Sequence, residues 1–107
     1  MELSITAEPD ATGRHVLGLD GALDLASCGA LLERAGAALG TPHLPGLVLD
    51  LSGITFIDSS GIGAIVQIAG DAEDASIPFA IRRPSERVVR VLTLSGLIDA
   101  WPVENAP

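Results

Sequence analysis

Leu47-Val48-Leu49-Asp50-Leu51-Ser52-Gly53-Ile54-Thr55-Phe56-Ile57-Asp58-Ser59-Ser60-Gly61-Ile62-Gly63 is the stretch on which the fold turns. Gly46 to Leu51 reads as a short, nearly continuous apolar strand, with its one acid, Asp50, facing away from Leu49 and Leu51. Ser52 to Phe56 continues in extended or turn form. At Asp58-Ser59-Ser60-Gly61 the hydrophobic period changes. Ile62, Ile65, Val66 and Ala69 recur at helical spacing, and Asp71-Ala72-Glu73-Asp74 closes the helix on an exposed end. A strand that passes through a tight turn into a helix is a unit of an α/β fold.

The flanks extend the pattern. Leu3-Ser4-Ile5-Thr6-Ala7 alternates, Pro9, Asp10 and Gly13 mark a turn, and Leu17 and Leu19 share one face after His15, so a hairpin is expected. Asp20-Gly21-Ala22-Leu23 is read as a break, with Asp24 as the N-cap of an amphipathic helix. Leu25, Cys28, Leu32, Ala35 and Leu39 form its stripe and Gly40 its end. Beyond the quoted stretch, Ile77, Phe79 and Ile81 alternate as a strand. Pro84 is placed in the first turn of a last helix, with Val88, Val91, Leu92 and Ser95 on one face. Gly96 caps that helix, and Leu97 folds back behind it. Ile98 to Val103 is read as a final short strand, and Pro102 and Pro107 make the tail irregular.

The order of elements predicts one α/β domain over residues 1–107. Its mixed β-sheet has an N-terminal antiparallel hairpin followed by β-α-β crossovers. Several strands alternate in hydrophobicity, so the helices are expected mainly on one face of the sheet.

Composition narrows the function. All six bases are arginines, against 14 acids, for a net charge of -8. The missing lysine excludes a Schiff-base enzyme, a Walker A nucleotide site and a lysine-assisted phospho-aspartate receiver. The acidity argues against direct nucleic-acid binding. Mean hydropathy is high, at +0.45, yet no apolar run approaches the ~20 residues of a membrane span. The lone Cys28 cannot form an internal disulfide, and Glu2 stands where a signal peptide carries bases. A cytoplasmic setting is the expectation.

Catalytic constellations are missing. Neither Ser59 nor Ser60 sits in G-x-S-x-G, and Val66 stands where a dinucleotide fingerprint needs a third glycine. His15 and His43 have no second ligand at useful spacing, and Asp50 and Asp58 are a weak cation pair, so no metal site is expected. Arg82, Arg83, Arg87 and Arg90 cluster about the start of the last helix as a solvated face or a surface for an acidic partner. Trp101 reads as a lid on the core, and His43 as exposed. What remains is a pair of hydroxyls beside a carboxylate at a helix start. Plain N-capping accounts for them. So does a phosphorylation switch, because a helix N-terminus tolerates the added negative charge while an acidic partner does not.

The segment Leu49 to Gly63, centred on Asp58-Ser59-Ser60-Gly61-Ile62-Gly63, resembles the STAS domain family, and within it the bacterial anti-sigma factor antagonists. Gly21-Ala22-Leu23-Asp24 resembles the family's Gly-Glu-Leu-Asp signature, and Leu94-Ser95-Gly96-Leu97 its closing Ser-Gly-Leu. The resemblance implies an antagonist that binds an anti-sigma factor and so frees a sigma factor. It implies that the anti-sigma factor is an ATP-dependent serine kinase whose target matches Ser59, and that a serine phosphatase reverses the modification. Asp24, Asp58, Ser60, Gly61 and Ile62 match its partner-binding positions. The chain would then be a substrate with no catalytic residue, metal or cofactor of its own. Two features depart from the family. Ala22 replaces an acid, and the sequence stops soon after Val103, where many relatives carry a further helix. A docking part of a stress-sensing or lipid-transport assembly is the alternative that the same resemblance allows. A small hydrolase using Ser59 or Ser60 lacks an identifiable base.

Overall fold

The computed structural model describes residues 2–105. Pro107, read above as part of an irregular tail, lies outside them. β1 (Leu3–Pro9) and β2 (His15–Leu23) form the expected antiparallel hairpin, with Ile5 opposite Leu19. The hairpin outlasts its alternating core. Asp20-Gly21 does not break β2, because register irregularities between Gly18 and Asp20 and between Gly21 and Ala22 absorb the residues that lack strand character. Gly21 has φ +114°, and a Cβ there would lie 1.9 Å from the Glu2 carbonyl oxygen, so glycine is what lets the two strands close at this point.

β2 then pairs in parallel with β3 (Leu47–Ile57), β3 with β4 (Phe79–Arg82), and β4 with β5 (Val103–Glu104). The strands lie in sequence order across the sheet. Ser52 to Phe56 is strand throughout, so β3 runs the full 11 residues to the Asp58 turn. The expected last strand shrinks to Val103–Glu104. Pro102 is not in it, although its carbonyl accepts from Ile81 N, and Ile98 to Trp101 is turn, with Ala100 N bonded to Leu97 O.

Three helices make the crossovers: α1 (Cys28–Leu39), α2 (Ser59–Asp74) and α3 (Glu86–Leu94). Leu17, Leu19, Leu47, Leu49, Leu51 and Ile81 meet Leu31, Ala35, Ile65, Ile68, Val88 and Leu92 in one core, which places the helices on one face. The inward stripe of α1 differs from the expected one. Leu31, Ala35 and Ala38 are buried, Leu32 and Leu39 are only half-buried, and Leu25 is exposed. The cause is the helix start. α1 begins at Cys28 and not directly after Asp24, so its phase is set one turn later. Pro84 also sits outside its expected place. Ser85 is the N-cap of α3, its Oγ accepting from Val88 N at 3.3 Å, and Pro84 precedes it. The far end of α3 is as expected. Gly96 has φ +74°, Gly96 N bonds Thr93 O and Leu97 N bonds Leu92 O, which is a Schellman closure. Ser95, expected on the inner face of α3, is exposed.

On the helix-free face, the Asp10–Arg14 turn folds toward β5. Arg14 Nε bonds Asp10 at 2.9 Å, and its Nη1 and Nη2 grip Glu104 at 2.6 and 3.0 Å. Arg82 Nη2 reaches both acids, at 3.3 and 3.4 Å, and Arg83 pairs with Asp50. Arg82 and Arg83 therefore do not join Arg87 and Arg90 as a surface cluster. The alternation of β4 and the turn after it send them across the sheet. Trp101 packs edge-on to Phe79, with ring centroids 5.9 Å apart, as a half-buried lid. His43 is exposed. Among the described residues no helix is long and apolar enough to cross a membrane.

Candidate functional site

β2 and β3 run parallel and end together, Leu23 opposite Ile57, so the turns that follow them are brought side by side. The chain ends of parallel strands are where α/β sheets collect their functional loops. Asp58 N lies 3.4 Å from Leu23 O, which ties the second turn to the first. Gly61 fits against the same carbonyl. A Cβ at position 61 would come within 2.4 Å of Leu23 O and 2.9 Å of the Ile57 side chain. The glycine is a packing requirement, and it draws the start of α2 down onto the end of β2.

The α2 turn is capped as the sequence predicts. Asp58 is extended at φ -118°, ψ -173°, and its Oδ1 accepts from Gly61 N at 3.0 Å. Ile62 N bonds Asp58 O at 3.0 Å, closing the first turn. Ser59, the first residue of α2, is exposed, and Ser60 is half-buried. Asp58 and Ile62 are half-buried and Gly61 is buried. The arrangement therefore presents Ser59 as the more exposed of the two serines at the helix start, beside the partial positive charge of the first-turn amides.

Asp24 is a cap, but of a turn that precedes α1. Its Oδ1 accepts from Ala26 N and Ser27 N, both at 3.1 Å, while Ser27 Oγ accepts from Asp24 N at 3.0 Å and donates to Ala22 O at 2.8 Å. This is the reciprocal logic of a capping box. Ser27, three residues after Asp24, is the sequence signal for this motif. Ala22, which stands where the family signature carries an acid, is fully buried, and its carbonyl accepts from Ser27 Oγ. The structure thus brings Asp24 and the Asp58–Ile62 turn onto one end of the sheet, although they stand more than thirty positions apart in the chain.

Comparison with known proteins agrees with this fold. The STAS domain model matches residues 6–106. An anti-sigma-factor antagonist (STAS) domain protein from Planctomyces limnophilus superposes with a TM-score of 0.83 at 21% identity, over 96% of this chain and 91% of that one. An anti-sigma factor antagonist from Mycobacterium paratuberculosis gives 0.78 at 25%, over 98% and 87%. The Bacillus cell fate determinant SpoIIAA, in its phosphorylated form, gives 0.74 at 20%, over 96% and 92%.

Proposed function

The chain belongs to the STAS domain family, and from that premise we propose that it is an anti-sigma factor antagonist switched by phosphorylation of Ser59. The observation that carries the reading is the exposed Ser59 hydroxyl on the first turn of α2, on the same end of the sheet as the Asp24 turn. In its unmodified form this surface docks on an anti-sigma factor and frees the sigma factor. The anti-sigma factor is also a serine kinase. In the transfer, Ser59 Oγ forms a bond to the γ-phosphorus of the kinase's ATP, the bond to ADP breaks, and the hydroxyl proton passes to the kinase. A phosphatase restores the hydroxyl by hydrolysis: water forms the new bond to phosphorus, the bond to Ser59 Oγ breaks, and inorganic phosphate leaves. The chain is a substrate in both directions and acts in the cytoplasm, while nucleotide and Mg²⁺ belong to the kinase.

The physical logic is electrostatic. A phosphoryl group adds about -1.5 to -2 charges and three acceptor oxygens. Because Ser59 is already exposed and stands over the helix N-terminus, the fold accepts this charge without rearranging. A docked partner cannot, since burying an unpaired dianion costs several kcal/mol. A loss of about 3 kcal/mol weakens binding more than a hundredfold.

The test uses the same organism's purified anti-sigma factor kinases. The kinase that transfers phosphate to the wild-type chain becomes the probe, and intact-mass measurement reads the transfer. Ser59→Ala is expected to bind that kinase like the wild type yet gain no mass, and Ser59→Glu to bind about a hundredfold more weakly by calorimetry. Equal affinities for the two variants, or no kinase that modifies or binds the chain, would overturn the reading. Modification found on Ser60 alone would move the switch to the half-buried neighbour and remove the argument from exposure.

A further inference from the structure

Two leucines stand far out in solvent: Leu25, 76% exposed, and Leu94, 82% exposed. Scattered exposed apolar residues need no explanation, so exposure alone decides nothing. Their placement differs. Each helix carries the chain from the C-terminal ends of the parallel strands back to the N-terminal ends. The turn holding Leu25 therefore lies at the switch end, and Leu94, in the last turn of α3, lies at the other.

Leu25 is also held rigidly. It sits inside the doubly capped turn from Asp24 to Ser27, whose amides, carboxylate and hydroxyl are bonded to one another, and Cys28 N bonds Asp24 O at 2.9 Å. Ser27 Oγ anchors this turn to Ala22 O in β2. The turn is bonded to the switch through Leu23 O, which faces Asp58 N. An apolar side chain on a backbone that is already ordered loses little further entropy when it is buried in a complex. The Asp24 and Asp58 carboxylates of the two joined turns are half-buried, and their hydrogen bonds to described residues all go to Oδ1, which leaves each Oδ2 for a partner.

On the reading given under Proposed function, we infer that Leu25 is the apolar anchor of the docking surface. The partner is an anti-sigma factor that offers an apolar pocket for Leu25, with a basic side chain at its rim facing Asp24 and none facing Ser59. The charge of the chain, -8, suits such a rim. The anchor also sharpens the switch. A phosphoryl group on Ser59 would stand at the lip of an apolar pocket, where water cannot follow it.

The experiment titrates the kinase identified above with the wild-type chain, Leu25→Ser, Leu25→Met and Leu94→Ser, and records thermal unfolding of each. Leu25→Ser is expected to bind about ten- to a hundredfold more weakly. Leu25→Met should stay within a few-fold of the wild type, Leu94→Ser should be unchanged, and all four should melt together because both sites are exposed. If the wild type binds and Ser59→Glu does not, while Leu25→Ser binds like the wild type, this inference fails and the switch stands. Equal losses in Leu25→Ser and Leu94→Ser also overturn it. If the wild type itself does not bind, the functional reading has failed, and the two failures are thereby distinguished.

Discussion

Gly61 and Gly63 stand two residues apart in α2 and have opposite roles. A methyl group at 61 would press on the Leu23 carbonyl and the Leu23 and Ile57 side chains, whereas one at 63 would meet nothing within 4 Å. Gly61→Ala is therefore expected to destabilise the chain by about 1–3 kcal/mol, as overpacking does. Gly63→Ala should stabilise it by up to about 1 kcal/mol, because alanine orders more cheaply in a helix interior. Urea unfolding midpoints of the two variants check both signs. Gly61→Ala also prises the switch turn away from the Asp24 turn, so it should weaken docking even where the fold survives. Asp58 illustrates what is readable at this scale. Its capping bond to Gly61 N is a local event, and local chemistry predicts it.

At the scale of elements, α1 shows where periodicity misleads. The spacing of Leu25, Cys28, Leu32, Ala35 and Leu39 fits a helix as well as that of Leu31, Ala35 and Ala38 does. The choice between them depends on where the helix begins, and the Asp24–Ser27 turn delays that start. Leu31 is fully buried and Leu32 is not. Leu31→Ala should cost about 2–5 kcal/mol, the range for a large core truncation, and Leu32→Ala clearly less. Comparing their chemical denaturation curves decides which stripe faces the sheet, and the reverse order of costs would restore the first stripe. β3 teaches the converse lesson. Gly53 weakens its strand signal, but pairing with β2 carries the strand through it to Ile57.

At the scale of the whole molecule, the ion network on the helix-free face ties the turn between β1 and β2 to β4 and β5. Hydrogen bonds from Arg14 hold the Glu104 carboxyl below its ordinary range. Burial tends to raise Asp50, but bonds from Arg83 and Ser52 outweigh it and lower it. The Asp10 carboxyl is lowered as well, with the Thr12 hydroxyl as the leading cause. Each folded-state pKa is thus below its unfolded value of about 4. Such groups contribute stability above pH 4 that is lost as pH falls through the folded values. The Arg14 guanidinium is raised, chiefly by Glu104, so its contribution is complete at every pH below its unfolded value. Stability is expected to be flat from about pH 5 to 8 and to fall below about pH 4. Glu104→Gln should be less stable at pH 7 and should fall less steeply in acid, as urea midpoints at pH 7, 4 and 3 would show.

The order of strands and helices, the Asp58 cap, the Gly96 closure and the position of Ser59 were all determined by the sequence itself. Each rests on residues within a few positions of one another, and backbone hydrogen bonding and hydrophobic period act over that range. The tertiary structure alone decided the length of β2 and β3, the phase of α1, the reach of Arg14 to Glu104 across the sheet, and the meeting of the Asp24 and Asp58 turns. These depend on which strand lies beside which. The energy that fixes them comes from contacts between residues distant in the chain, and those become neighbours only once the sheet has formed.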